Sequence, residues 1–535
     1  RIPGRTERTR PSILAPTPRP GRLQAPRIAA CEMRYTLCTV KDASSTEPSA
    51  EYGLARASRS CAFLSVLFLC AAATQGCAGS ESDSDDAPHD DSLPKACGQD
   101  VYVLDEQDRF VIGADGTEYE GSAIEAASDF LAVRHIEIGE DGYWAEGVVD
   151  IHSVQDGALL GSTSGEAYTY GASIAHFDHL ERSVLAIGDP QHEYTDYAMG
   201  RVVAIDVESV VEGASHNDSV LVEVVGNSDW SGLGERTSAG QGPLGPLIAT
   251  SMSKRTDGGY PITSSVAVID VALVQDALVG SGTATTMDSA GVSMYIRSDA
   301  RGDAGTDVLL ADLDGDGLSD LCVGDSFFGE TYGAVYVVLS PGGAGGEHDL
   351  RSCDFYGLGD WVCGSFGRRL GAFDNDQDGY QQLVVSECGY GSDCGEPGAG
   401  PGAIHVLDNL SISSGKPAML EDQARILGDD GEYLGYDLEG YWRGQDQGLA
   451  VTMEARNYGS HRSGVYLVET GAEGTMPVGD TCGTLILDDS AIGSGGAYLL
   501  TWSQEGGALF LGDSVLEIMD DEGGHANGVV YGYGL

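Results

Sequence analysis

The sequence predicts an all-β fold, a seven-bladed β-propeller of four-stranded antiparallel blades. Three observations predict it: two aspartate-rich segments flanked by short apolar runs, a strand–turn–strand pattern that occurs seven times, and the lack of a helical pattern between the copies. A unit of this size cannot bury an apolar face by itself. The copies must therefore pack against one another, and a closed ring gives every copy two neighbours.

The recurring pattern consists of two apolar strands separated by a turn, as in Leu321–Gly324 followed by Gly333–Val338. Short apolar runs between Gly and Asp clusters are typical of β-strands. Four strands of about six residues, with their turns, fill the interval between two copies. The second strand of the pattern starts at Gly147, Gly200, Ser264, Gly333, Gly402, Ser463 and Asn527, at steps of 53, 64, 69, 69, 61 and 64 residues.

The first aspartate-rich segment has the oxygen spacing of a calcium-binding loop. Its aspartates occupy loop positions 1, 3, 5 and 9, and Gly317 at position 6 permits a sharp turn. Ca²⁺ takes six to eight oxygen ligands at about 2.3–2.6 Å, and alternate side chains plus one backbone carbonyl supply most of them. The predicted ligands are Asp312, Asp314, Asp316, Leu318 (through its carbonyl) and Asp320.

A second copy of this loop begins 62 residues later, and its predicted ligands are Asp374, Asp376, Asp378, Tyr380 (through its carbonyl) and Gln382. The amide at position 9 carries no charge, so this site should bind calcium more weakly than the first. Position 12, which is Glu when such a loop joins two helices, is Val323 in one copy and Val385 in the other. Both loops are therefore predicted to join strands. The alternative is a pair of solvated acidic turns.

These segments together resemble the FG-GAP repeat of the integrin α-subunit propeller. That repeat combines a Phe-Gly pair, a calcium loop, an Asp-Leu-x-Val-Gly strand and a Gly-x-Val-Tyr-Val strand. Asp312–Val338 is similar to it nearly throughout, and Phe366–Leu407 differs at loop position 9. Weaker copies near Tyr170 and Leu434 lack a full calcium loop. The resemblance extends over roughly residues 97–535, and it implies calcium ions that support the fold and a ring face that binds partners.

The chain is strongly acidic, with 83 Asp and Glu against 29 Lys and Arg and a formal net charge of −54. Such a surface repels nucleic acid and anionic membranes and attracts divalent cations. We therefore expect a monomer with no nucleic-acid partner. Hydration of the protein in a salty medium explains the acidity equally well.

The region before the repeats has the features of an export signal. Ala62–Ala73 is an apolar stretch of 12 residues, which is short for a membrane span but suits a signal peptide. Thr74–Cys77 resembles a bacterial lipoprotein cleavage box, in which Cys77 would carry the lipid and be the chain's contact with a membrane. The protein is thus expected at the outer membrane or cell surface as a lipoprotein, or else free after secretion.

Four regions follow from these assignments. They are a disordered or non-native upstream segment at 1–53, a signal peptide at 54–77, an acidic flexible linker at 78–96, and the propeller at 97–535.

Export implies oxidising conditions, in which cysteines pair. Val101–Leu104 is predicted to complete the final blade, and Cys322, in an apolar strand, is predicted to be a buried thiol. The alternative is that some of the remaining cysteines stay reduced. The predicted pairs are Cys353 with Cys363, Cys388 with Cys394, and Cys97 with Cys482.

No catalytic signature stands out in the sequence. His176 and His179 lack the Glu of a zinc-protease motif, and the adhesion tripeptide Arg301–Asp303 is readily a chance match in a chain rich in Gly and Asp. The sequence favours a calcium-stabilised binding, adhesion or scaffolding module for an extracellular protein or glycan. The competing hypotheses are a propeller enzyme that acts on polysaccharide or phospholipid, and a purely structural surface protein.

Overall fold

The chain folds into seven β-sheets of four or five strands each. The structure, a computed structural model, describes residues 100–534 apart from short gaps, of which 390–399, 408–422 and 489–497 are the longest. The predicted upstream segment, signal peptide and linker lie outside the described residues, as do Cys77 and Cys97.

Two strands, β1 (Asp100–Leu104) and β2 (Arg109–Ile112), precede the first sheet. The first sheet consists of β3 (Thr117–Glu118), β4 (Ile124–Ala126), β5 (Phe130–Ile138), β6 (Trp144–Ser153) and β7 (Leu159–Ser164). The second contains β8 (Ser173–His179), β9 (Arg182–Asp189), β10 (Arg201–Asp206), then helices α1 (Val207–Val211) and α2 (His216–Ser219), and β11 (Val220–Val225).

The third sheet is built from β12 (Thr237–Gln241), β13 (Pro246–Arg255), β14 (Pro261–Asp270) and, after helix α3 (Val271–Leu278) and β15 (Ala284–Thr286), β16 (Val292–Ile296). The fourth contains β17 (Val308–Ala311), β18 (Asp320–Asp325), β19 (Ala334–Val338) and, after β20 (Gly346–Asp349) and a 3₁₀ turn (Leu350–Ser352), β21 (Phe355–Leu358).

The fifth sheet contains β22 (Leu370–Phe373), β23 (Gln382–Glu387), β24 (Ala403–Leu407) and β25 (Ala424–Leu427). The sixth contains β26 (Leu438–Arg443), β27 (Asp446–Asn457), β28 (Ser460–Glu469) and, after β29 (Thr475–Pro477) and helix α4 (Val478–Thr481), β30 (Cys482–Asp488). The seventh contains β31 (Tyr498–Ser503), β32 (Ala508–Asp513) and, after the hairpin of β33 (Glu517–Ile518) and β34 (His525–Ala526), β35 (Val529–Gly534).

The first strands of the sheets line the centre of the ring. Each one contacts the first strand of the next sheet, in the order β4, β8, β12, β17, β22, β26, β31, and β31 contacts β4 again. The sheets are therefore blades that close into a seven-bladed propeller, in which the first strands surround a central channel.

Apolar side chains fill the spaces between neighbouring blades. Seven hydrophobic clusters occur among the described residues, and each joins two consecutive sheets. One of them packs Phe510 and Val530 of the last blade on Leu131 and Val133 of the first. Burial of a side chain of this size contributes roughly 1.5–3 kcal/mol. The closing contact thus has the same apolar character as the other six.

A glycine of one blade also meets the entry of the next. Gly333, at the start of the third strand of blade four, bridges to Phe366 before blade five, and a Cβ on Gly333 would overlap the Phe366 carbonyl. Gly333 has φ +84°. Both the backbone angle and the close approach require glycine. Gly200 with Leu233 and Gly402 with Leu434 form the same bridge.

Strands from elsewhere in the chain cover the outer edges of four blades. β15, β20 and β29 pair in parallel with β11, β16 and β25, so each of these edges is covered by the chain of the following blade. β1 pairs in parallel with β30 of the sixth blade. A covered edge has no free row of backbone groups to recruit another chain.

The sequence-based fold prediction is confirmed in its main features. The seven repeated second strands fall in seven different sheets, as β6, β10, β14, β19, β24, β28 and β35. Four-stranded blades were too simple an expectation, because several sheets gain a fifth strand and short helices enter the connections. The prediction that Val101–Leu104 completes the final blade was wrong: this segment pairs with the sixth blade, and β2 completes the seventh.

None of the helices among the described residues combines the length and apolar character needed to cross a membrane.

Candidate metal centre

The first aspartate-rich loop is the turn between β17 and β18, as the sequence predicts. Gly315 and Gly317 adopt φ of +73° and +83°, which lets the nine-residue turn fold back on itself. The loop therefore joins two antiparallel strands at one end of the central channel, with no helix beside it.

Backbone N–H groups of the loop point at its own carboxylates. Gly315 N–H donates to Asp312 Oδ1 (2.8 Å), and Gly317 N–H donates to Asp312 Oδ2 (2.9 Å). Asp314 accepts from the N–H of Asp316 (3.2 Å), and Asp316 accepts from that of Leu318 (2.8 Å). These bonds fold the side chains of alternate residues toward the inside of the turn.

Three of the five predicted ligands come together in the turn. Carboxylate oxygens of Asp312, Asp314 and Asp320 all lie within 4.8 Å of one another. Asp314 is exposed, whereas Asp320 is fully buried. Asp316, predicted as a ligand, is not part of this group, and its Oδ2 accepts from Ser340 Oγ at 3.2 Å. The arrangement offers a cation several oxygens from a short stretch of chain, as calcium prefers.

The buried member of the group carries the electrostatic strain. Burial raises the pKa of Asp320 to about 6, and the negative charges of Asp314 and Asp312 raise this pKa further, against the effect of two hydrogen bonds. Those bonds come from the N–H groups of Ser340 (2.8 Å) and Leu313 (3.0 Å). A divalent cation between the three carboxylates would favour their charged forms.

Ser340 is the functional residue that sequence reasoning missed. It follows the third strand of the blade and adopts φ +41°, an unusual angle for a residue other than glycine. From there it donates to both Asp320 and Asp316. A nine-residue motif contains no signal for this contact, because Ser340 lies 20 residues after Asp320.

The second loop joins β22 and β23 as predicted. Asp376 and Asp378 lie outside the described residues. Asp374 is partly buried and its N–H donates to Gln447 Oε1 (2.8 Å), which lies on the next blade. Asn375, which the sequence did not single out, is buried and accepts N–H bonds from Gly471 and Ala472. The loop is thus attached to the sixth-blade segment.

Gln382 takes the place of Asp320 in the second loop. Its Oε1 accepts from the N–H of Asn375, the counterpart of the bond from Leu313 to Asp320. Because a carboxamide has a single oxygen, this bond fixes the orientation of the group. The Nε2 then donates to the Tyr380 carbonyl at 3.1 Å, and that carbonyl is a predicted calcium ligand. A bound cation would have to displace this donor.

The two loops lie next to each other. A Cβ added to Gly315 of the first loop would overlap the ring of Tyr380 of the second. Tyr380 remains half exposed. The side chain at position 7 of one loop thus covers the glycine of the other, so that the two turns form one surface on this face of the ring.

The cysteine predictions are resolved only in part. Cys322 is a buried free thiol, as predicted, and burial raises its pKa. Cys353 and Cys388 are also free, and their predicted partners Cys363 and Cys394 lie outside the described residues. The N-terminal strand does run beside β30, which begins at Cys482.

The remaining singled-out residues do not form a site with the metal loop. His176 lies 3.7 Å from Asp178, and His179 lies 3.0 Å from Gln275 Oε1. The tripeptide Arg301–Asp303 lies outside the described residues.

Comparison with known proteins supports the fold only. No protein-family model matches the chain, and no curated protein is found to be similar to it. The structure matches 107 chains of solved structures. One is titled "Structure of Dos1 propeller", with a TM-score of 0.39 and 8% identity over 79% of this chain and 96% of that one. Similarity at this level says nothing about function.

Proposed function

We propose that this protein is an exported, calcium-stabilised β-propeller that acts as a binding or scaffolding module at the cell surface. The calcium part of the proposal rests on one observation, the convergence of Asp312, Asp314 and Asp320 within a turn between strands. The FG-GAP resemblance of the sequence leads to the same expectation.

The ion would have a structural role in this arrangement. The carboxylates of the turn are held by N–H groups of the same turn and of Ser340, so they are positioned before metal arrives. An ion bound only by the folded form stabilises it by mass action, by roughly 2.7 kcal/mol at a hundred times the dissociation constant. The first loop would bind calcium more tightly than the second, because Gln382 there replaces a carboxylate with an amide.

The binding role is supported by the opposite face of the ring. In the fourth blade β17 runs from Val308 to Ala311 and leads into the calcium turn, so the start of β17 and the connections there lie on the other face. The exposed aromatic residues on those connections are Phe327 and Tyr332, between β18 and β19, and Trp361, after β21. Aromatic rings exposed on one face are typical of surfaces that contact a ligand or partner.

A binding experiment tests this role. The purified protein is screened against extracellular glycans and proteins, and Trp361→Ala is compared with Leu180→Ala, which removes an exposed side chain from a turn between first and second strands on the calcium side. We expect Trp361→Ala to weaken capture of the partner and Leu180→Ala to leave it unchanged. Equal effects of the two variants would contradict the assignment of the binding face.

One observation favours a second candidate, a propeller enzyme that acts on polysaccharide. Glu125 on β4 and Glu439 on β26 are both on first strands of the ring. Burial raises the pKa of Glu125 to about 7, and burial together with Glu125 raises that of Glu439 well above its ordinary value. Carboxyl groups with raised pKa in a channel suit general acid catalysis. Turnover of a polysaccharide that Glu439→Gln abolishes would establish this candidate.

A further inference from the structure

The entries of five consecutive blades are built alike. Each has a glycine with positive φ, whose N–H donates to a carbonyl of the second strand of the same blade, followed two residues later by the residue next to, or at, the start of the first strand. The glycines are Gly171, Gly234, Gly305, Gly367 and Gly435. The residues two places after them are Ser173, Arg236, Asp307, Arg369 and Asp437. These five positions are therefore equivalent and surround one mouth of the channel.

The charges at this mouth alternate around the ring. Blades three to six present Arg236, Asp307, Arg369 and Asp437 in turn. Arg369 Nε donates to Asp437 Oδ1 at 3.1 Å, and the N–H of Leu370 donates to Asp307 Oδ2 at 2.8 Å. Neighbouring blades are thus joined through these side chains. The mouth lies on the face opposite the calcium turn, because Asp307 and Asp312 are at the two ends of β17.

Arg236 is the exception in this ring. Its guanidinium makes no hydrogen bond or ion pair with any residue that the structure describes. Repulsion from Arg369, followed by burial, lowers its pKa. Arg369 uses Nε and Nη1, on Asp437 and on the Arg368 carbonyl, and its Nη2 has no partner within the described part of the chain. Two guanidinium groups with unused N–H donors therefore face each other at the mouth.

An anion between the two groups would satisfy both. Planar guanidinium groups bind carboxylates through paired N–H donors, and such bonds are about twice as strong as neutral ones. Asp307 and Asp437 neutralise the two arginines, so the mouth tolerates one added negative charge better than two. This favours a carboxylate over a phosphate dianion. The exposed aromatic residues Phe327, Tyr332 and Trp361 of the same face suit the flat surface of a sugar.

We propose that the channel mouth binds the carboxylate of an acidic sugar through Arg236 and Arg369. This inference rests on the proposed binding function and names its ligand class. It assigns Arg236 as the main contact and Arg369, already held by Asp437, as the second.

The experiment is a calorimetric titration of the full chain with glucuronate, with glucose as the neutral analogue and N-acetylglutamate as a carboxylate of peptide type. Arg236→Gln removes the charge and the donor fork, and Arg236→Lys retains the charge alone. Arg351→Gln is the matched control, because Arg351 is exposed and pairs with Asp349 beside it. Thermal melts without ligand confirm that each variant is folded.

We expect glucuronate to bind and glucose not to bind. Arg236→Gln should weaken glucuronate binding by at least about tenfold, Arg236→Lys by less, and Arg351→Gln should have no effect. Tighter binding of N-acetylglutamate than of glucuronate would overturn the sugar assignment. Absence of binding, or equal affinity in Arg236→Gln, would overturn the site. A failed titration with an intact calcium response in the melt would refute this inference alone.

Discussion

Replacement of Asp314 by Asn tests the calcium turn without changing its shape. Asn has an oxygen where Asp314 accepts the N–H of Asp316, so the turn retains this bond. What the variant loses is one of three carboxylates whose oxygens lie within 4.8 Å of one another. The substitution therefore removes charge from the site and leaves its hydrogen bonds in place.

The two expected effects have opposite signs. Two charges 4.8 Å apart repel by about 1 kcal/mol in water and about 3.5 kcal/mol at an effective dielectric constant near 20. Because Asp314 is exposed, the lower figure applies, and the metal-free variant should be slightly more stable than the metal-free parent. With calcium present, the parent gains roughly 2.7 kcal/mol at a hundred times the dissociation constant, and the variant should gain far less.

Thermal melts in calcium and in chelator measure both effects. For a propeller of about 435 residues, an unfolding entropy near 2.1 cal/mol/K per residue makes 2.7 kcal/mol equal to about 3 °C in Tm. We expect chelation to lower the Tm of the parent by several degrees and to leave that of Asp314→Asn nearly unchanged. Asp276→Asn, an exposed acid on α3, is the control and should respond like the parent.

A parent protein whose Tm is the same in calcium and in chelator would refute the calcium turn. An Asp314→Asn variant that keeps the full calcium response would show instead that calcium acts elsewhere on this acidic surface.

Three further predictions follow from single contacts. Gln382→Asp should strengthen calcium binding at the second loop, seen as a second tight site in a calcium titration, because it restores a carboxylate and removes the donor from the Tyr380 carbonyl; an unchanged titration would contradict this role. Gly333→Ala should destabilise the fold by at least about 2 kcal/mol in denaturant unfolding, through both its positive φ and the overlap with Phe366, whereas Gly213→Ala, with similar φ and open space, should lose only about 1 kcal/mol. Since the folded pKa of Glu125, about 7, exceeds its ordinary 4.5, its contribution to stability is present below pH 4.5 and lost as pH rises through 7. Glu125→Gln should therefore be more stable than the parent at pH 8, by at most roughly 3 kcal/mol, and equal to it near pH 4.

The repeat was visible in the sequence because its cause is local. A glycine such as Gly333 must stand where the next blade approaches, and the apolar strand after it must be buried, so each copy repeats the same short pattern. The parallel edge strands were not visible. β20 pairs with β16 about 50 residues away, and no local pattern specifies such a partner. The N-terminal strands were misassigned for the same reason, since β1 and β2 are both suited to an edge.

The metal turn and the channel mouth differ in how far the sequence could reveal them. Alternate aspartates in nine residues predict the turn directly, although not the part played by Ser340. Arg236 and Arg369 lie 133 residues apart in the chain. A signal was present, the residue two places after each glycine at a blade entry. Its meaning depends on the closed ring, because only the ring brings equivalent positions of different blades to one mouth.

The four-residue strand β17 separates two sites with opposite electrostatic requirements. Its start is next to Asp307 at the mouth and its end is next to Asp312 in the turn, about 13 Å apart at 3.3 Å per residue. That distance exceeds the Debye length of about 8 Å at physiological ionic strength, so charge at one site is largely screened from the other where solvent intervenes. A calcium ion on the same face would itself coordinate a ligand carboxylate and compete with Arg236. Placing the ion at the far end of the strand lets it stabilise the blade while the guanidinium groups remain available to an anion.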